Sequence, residues 1–142
     1  MRTTAVKAKP SKPAAAPKPA SPLAALIALA GLKKGKQFAG LLFENDAWHL
    51  VVLLPGDSKP IAWKAAQAWA KERGGELPTR REQSLLFANL KDQFESAWYW
   101  SGELCAGGSG YAWCQSFYYG NQSILHKSSY ARARAVRRLV IR

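Results

Sequence analysis

Cysteine, histidine and terminal acidic residues are all scarce in this chain, and each scarcity excludes something. Cys105 and Cys114 are its two cysteines, too few for the disulfide frameworks that hold small secreted domains together. The two histidines, His49 and His126, lie far apart, and no Cys/His group has zinc spacing. Beyond Glu95 the sequence offers only Glu103 as an acidic oxygen ligand, so a lectin-type calcium site is disfavoured. No metal or other cofactor is expected. No apolar run reaches the roughly 18 residues that would suggest a membrane span. The short stretch Leu23–Leu32 contains Ala28-Leu29-Ala30, a faint imitation of a leader cleavage site, but a long Pro-rich segment precedes it. A cytosolic start is the expectation, with both thiols reduced or paired only later.

What is abundant is positive charge, at +12 over 142 residues. Its placement matters more than its size. Residues 1–36 hold eight bases and no acid, and residues 127–142 hold six more and no acid. The stretch between carries seven bases against nine acids. The charge therefore belongs to the two ends. A strongly basic chain invites a nucleic-acid reading, and Arg132, Arg134, Arg137 and Arg138 are its candidates. Pairing with Glu76, Glu82 or Glu103, or stacking on Trp, is the structural alternative for these arginines.

Residues 1–36 read as a basic tail: five prolines among Lys, Ala and Ser favour an extended spacer, followed by the apolar Leu23–Leu32, a docking or oligomerisation segment. The folded domain is expected at 37–142. Phe38–Phe43 and Trp48–Leu54 are β-prone runs around the turn chemistry of Glu44-Asn45-Asp46-Ala47, which predicts a hairpin. Ala62, Ala65, Ala66, Trp69 and Ala70 predict a helix over 61–73, stopped by Gly74-Gly75. Thr79 and Glu82 have capping-box spacing and open a second helix through Leu85, Leu86 and Leu90. Strands are predicted at 98–101, 112–117 and 133–139, separated by long loops over 102–110 and 120–132. Hairpin, helices, then strands with generous loops is an α+β arrangement.

Taken in order, Trp63 and Ala66, then Gly74-Gly75-Glu76-Leu77-Pro78-Thr79-Arg80-Arg81-Glu82, Tyr99-Trp100-Ser101-Gly102-Glu103, Ala112-Trp113 with Phe117 and Gly120, and Arg132-Ala133-Arg134-Ala135-Val136-Arg137 form a pattern. It resembles the C-type-lectin-like domains of the formylglycine-generating-enzyme subclass. It looks closest to the variable proteins of diversity-generating retroelements and their phage and prophage relatives. The resemblance spans about residues 37–140. It implies a C-type-lectin-like fold, with small antiparallel sheets, two helices and long loops, that presents a ligand surface from its second half. In such variable proteins the diversified positions draw on a residue set without Trp, Gln, Lys, Glu or Met. Tyr111, Cys114, Ser116, Tyr118, Tyr119, Asn121, Ser123, Ile124, Leu125 and His126 fall within that set; Trp113, Gln115, Gln122 and Lys127 would be framework.

The residue types agree. Tyr supplies large amphipathic area at low entropic cost, and Ser and Asn supply adaptable hydrogen bonds, the composition of a binding surface. The expected ligand-binding residues are Tyr111, Cys114, Ser116, Tyr118, Tyr119, Asn121, Ser123, Leu125 and His126. Neither cysteine has a neighbouring base to activate it, so no catalysis is expected. The expectation is a non-catalytic recognition module for a protein or glycan, carried by a virion or held in the bacterial cytoplasm before assembly. Its tail would contact other virion proteins or support a homo-oligomer. The alternatives are a structural virion component and a nucleic-acid-associated protein acting through its basic ends. A disulfide between Cys105 and Cys114 and two free thiols are both open.

Overall fold

The computed structural model describes residues 36–141. The readings of a basic tail and of the Leu23–Leu32 segment lie outside the described residues. The element order is β1 (Gln37–Glu44), β2 (Ala47–Leu53), α1 (Trp63–Glu72), α2 (Arg80–Leu90), a 3₁₀ turn (Lys91–Gln93), β3 (Trp98–Cys105), β4 (Gly108–Ser116), β5 (Gln122–His126) and β6 (Val136–Ile141). Two antiparallel three-stranded sheets result, in the orders β1-β2-β6 and β3-β4-β5. The class is α+β.

The first hairpin forms where the turn chemistry places it. Asn45 and Asp46 both take left-handed backbone, with φ of 53° and 59°, the two-residue turn whose twist matches the flanking strands. β6 then pairs along β2, with Leu53 opposite Val136 and Trp48 opposite Ile141.

Helix α1 buries Trp63, Ala66 and Ala70, while Ala65, expected on that face, is exposed. Gly75 ends the approach: a β-carbon there would lie 2.5 Å from the Val136 carbonyl oxygen, so only glycine admits this contact. Helix α2 carries the complete capping box, with Thr79 Oγ1 accepting from the Glu82 N–H at 3.1 Å and Glu82 Oε1 accepting from the Thr79 N–H at 2.9 Å.

The predicted strand 133–139 divides. Residues 131–135 are not a strand but an extended thread that bridges three parts of the fold. The N–H groups of Leu54, Ser58 and Ile61 donate to the carbonyls of Ala135, Ala133 and Ala131 at 2.9, 3.0 and 2.9 Å, and on the other side Trp100 N–H donates to the Arg132 carbonyl at 2.9 Å. The Ala-Arg alternation has a reason here. Ala131, Ala133 and Ala135 are buried in one core cluster beside Trp63 and Trp100, where anything larger would displace the two indoles. Each indole is tied down by a cross-bond, Trp63 Nε1 to the Ser101 carbonyl and Trp100 Nε1 to the Ile61 carbonyl, both 2.8 Å. A second cluster gathers Val51, Leu53, Leu86, Tyr99, Phe117 and Val136 between α2 and the two sheets.

Both long loops expected in the second half are corrected. Residues 102–110 belong to the β3–β4 hairpin, which turns at Ala106-Gly107. Its ladder is irregular between Trp100 and Leu104, where Gly102 N–H leaves the sheet to donate to the Pro78 carbonyl at 2.8 Å. The glycines mark a bulge and a close approach rather than a loop. Residues 120–132 contain a strand, β5, paired with β4 from Tyr111 opposite His126 to Gln115 opposite Gln122.

Candidate functional site

In an antiparallel ladder directly opposed residues share a face. The β4–β5 register therefore puts Tyr111, Trp113 and Gln115 on one side with His126, Ile124 and Gln122. Ala112 and Cys114 look the other way, with Leu125 and Ser123. This parity sorts the expected binding residues.

Two of them are corrected as surface positions. Cys114 is wholly buried in the α1-side core. Its Sγ–H donates to the Ser123 carbonyl at 3.4 Å, and burial pushes its thiol up to about 12. Ser116 is 3% exposed, and its Oγ accepts the backbone N–H groups of Tyr118 and Tyr119 at 3.2 and 3.0 Å. Both are structural because they sit on the inward parity of β4. Leu125 is half-buried against the same core. Ser123 has that parity too but remains exposed, because β5 is an edge strand. Cys105 sits at the hairpin end opposite Gly108, while Cys114 lies opposite Trp100. The two thiols are free, which resolves the open choice between a disulfide and separate cysteines.

The exposed members form two groups. At the Phe117–Asn121 turn, Tyr118 and Tyr119 are 57% and 79% exposed and meet edge to face at 4.5 Å between ring centroids. With Ser96, Ala97, Trp98 and Ser116 they line a cleft. The turn beneath is fixed. Phe117 is buried, stacked on Phe94 at 3.9 Å and edge-on to Tyr99. Ser116 N–H donates to the Asn121 carbonyl, and Gly120 N–H donates to the Ser116 carbonyl, both 2.9 Å. Asn121 stands exposed beside the pair.

The second group lies on the outward face. Tyr111 meets His126 edge to face at 5.4 Å, and His126 Nδ1 accepts the Ser128 N–H at 3.2 Å. Ile124 is exposed opposite Trp113. The guanidinium of Arg80, from the first turn of α2, lies 3.5 Å above the Trp113 ring. Its Nε donates to Gln122 Oε1 at 3.0 Å. Gln122 Nε2 in turn donates to the Arg80 carbonyl and to Gln115 Oε1, both at 2.8 Å. Arg80 N–H donates to Glu103 Oε2 at 2.7 Å. The sequence reading missed Arg80, because no local signal links the start of α2 to a strand more than thirty residues later. Parity would have found Ile124 as an outward position.

The C-terminal arginines are largely spent inside the protein. Arg138 makes a two-pronged ion pair with Glu82, Nε to Oε2 at 2.7 Å and Nη2 to Oε1 at 2.8 Å, and a further contact with Glu76. These two carboxylates hold its guanidinium proton more firmly than usual, the Glu82 hydrogen bonds most of all. Arg132 pairs with Asp57 at 3.3 Å. Arg134 is buried, donating to the carbonyls of Gln93 and Leu54, and burial weakens its hold on its proton. Arg137 is exposed. Glu103, the third expected partner, holds the Arg80 backbone instead. His49 is half-buried, and its Nε2 donates to the Glu44 carbonyl at 3.2 Å.

Among the described residues no cluster of His, Cys, Asp or Glu could hold a metal ion, and no helix is long and apolar enough to cross a membrane. No protein-family model and no curated protein matches this chain.

Proposed function

We propose that residues 37–142 are a non-catalytic recognition module of C-type-lectin-like type, binding a protein or glycan through the β4–β5 hairpin and its turn. The observation that carries this is the turn at Tyr118 and Tyr119. Two large exposed aromatic rings stand on a turn immobilised by Ser116 and by the buried Phe117. Exposed tyrosines on a fixed backbone cost little entropy to immobilise and bury large area on contact. Nothing in packing requires them there. Phe117 already closes the core beneath, so the two rings add exposed apolar surface that a protein without a ligand would shed.

The kinship with retroelement variable proteins, and with it a place on a phage or prophage assembly, belongs to this proposal. It rests on the ordered motifs and the two-helix, two-sheet arrangement. A nucleic-acid role has less support, since Arg132, Arg134 and Arg138 already have protein partners.

The test is binding of the purified protein to a panel of intact bacterial cells and envelope preparations. Wild-type protein should bind at least one of them saturably. Tyr118→Ala/Tyr119→Ala should keep its melting temperature within a few degrees and lose at least about ten-fold in affinity, as truncating two central aromatics does at a recognition surface. Undiminished binding by the double variant, or no saturable binding anywhere on the panel, would remove the proposal.

A further inference from the structure

The outward face of β4–β5 has a charge bias that the tyrosine turn lacks. From Leu104 to the end of the sequence there is no acidic residue. Of the two carboxylates that line the cleft beside Arg80, Glu103 is engaged by the Arg80 N–H and Glu44 pairs with Arg81 at 3.7 Å. Facing solvent are Tyr111, Ile124 and His126, with Arg80 at one end beside half-buried Trp113.

Arg80 itself is unusual. A surface arginine normally samples many rotamers, but this one is held flat on an indole and anchored through Nε by Gln122, which is itself fixed to Gln115. The anchoring uses only Nε. Among the described residues the terminal nitrogens Nη1 and Nη2 have no hydrogen-bond acceptor, so four N–H groups remain in a fixed planar fork. Such a fork matches a carboxylate with two parallel hydrogen bonds. Immobilised in advance, it loses little entropy when it does so.

Resting on the recognition reading above, we propose that this face takes an acidic saccharide, a uronate or sialate, with Arg80 gripping its carboxylate and Tyr111 and Ile124 lying against the sugar ring. Size selects a saccharide over a protein. Two strands ~4.8 Å apart and alternate residues ~6.8 Å apart give a patch of roughly 10 by 14 Å. That suits one or two sugar rings and falls far short of the ~800 Å² per partner of a stable protein interface.

The experiment uses the full chain and polymer-linked N-acetylneuraminic acid and glucuronic acid, with polymer-linked N-acetylglucosamine and glucose as neutral counterparts and a poly-glutamate peptide as a carboxylate that is not a sugar. The acidic glycopolymers should bind, the neutral ones should not, and binding should weaken as salt is raised. Arg80→Lys keeps the charge but loses the fork, and should cost about ten-fold or more in affinity. Tyr111→Ala, which leaves the Arg80 anchorage untouched, should also weaken binding. Equal binding of neutral and acidic polymers, an unaffected Arg80→Lys, or preference for the peptide would each overturn the inference. So would no binding of any probe. The cell-binding test at Tyr118 and Tyr119 is read separately, so loss of this inference leaves that result standing.

Discussion

At the scale of single residues, the β3–β4 hairpin gives its two thiols opposite surroundings. Cys114 points into the core, where a thiolate would be stranded without water, and burial raises its thiol to about 12. Cys105 lies at the hairpin end, half-exposed and free. A thiolate-selective disulfide reagent at pH 8 should therefore titrate one thiol per native chain and two in denaturant, with Cys105→Ser abolishing the native reaction. Two fast native thiols would contradict the burial of Cys114. Parity explains why residue type alone could not separate these positions. Cys114, Ser116 and Tyr111 all have side chains compatible with a variable surface, yet a step of one along a strand moves a side chain to the opposite face. Composition singled out this hairpin, and its register decides which of the named positions lie on the Tyr111 face. Gly120 shows a different limit. Its φ of +89° and the 2.6 Å that would separate a β-carbon from the Phe87 ring make glycine necessary there, a requirement set by a helix far away in sequence.

At the scale of elements, the features that were legible were those written in adjacent residues. The Asn45-Asp46 turn, the Thr79–Glu82 capping box and the Gly74-Gly75 stop each depend on a few neighbouring side chains and backbone angles. β5 was missed because it is short and polar and has Ile124 as its one β-branched residue; it is a strand through its pairing with β4, not through propensity. The glycines of 102–110 read as loop because bulge and loop share a composition. The Arg138–Glu82 pair joins both kinds of signal. Glu82 serves the capping box of α2 and, with its two oxygens, also holds Arg138 on β6. Glu82 is buried, so removing Arg138 leaves a carboxylate without its countercharge. Arg138→Ala should lower unfolding free energy by about 3–5 kcal/mol in denaturant titrations. Pairing Glu82→Gln with Arg138→Met should recover part of that loss, because the charges and their desolvation cost disappear while the Gln oxygen still accepts the Thr79 N–H. A loss below about 1 kcal/mol for Arg138→Ala would mean that the pair behaves as an exposed surface contact.

At the scale of the whole molecule, the core's own ionisable groups set an alkaline limit on stability. Burial raises the Tyr99 phenol, helped by its hydrogen bond to Asp57, and burial raises the Cys114 thiol to about 12. Both groups keep their protons in the folded state to a higher pH than in the unfolded chain, where they titrate near ~10 and ~8.5. Between those limits the unfolded state binds fewer protons, so stability falls as pH rises. The contribution is complete below about pH 8, begins to fade as the unfolded thiol ionises, and fades faster once the unfolded phenol follows. Each group adds a slope of at most about 1.4 kcal/mol per pH unit. The Arg138 cluster does not offset this. Its folded pKa is raised above an already high unfolded value, so its contribution stays intact throughout that window. Denaturant midpoints measured from pH 7 to 11 should accordingly stay level to about pH 8 and then decline. Cys114→Ala should start from a lower stability, through the cavity it opens, but remain flat until the Tyr99 limb begins near pH 10. An unchanged early slope in that variant would assign the alkaline loss to groups other than the buried thiol.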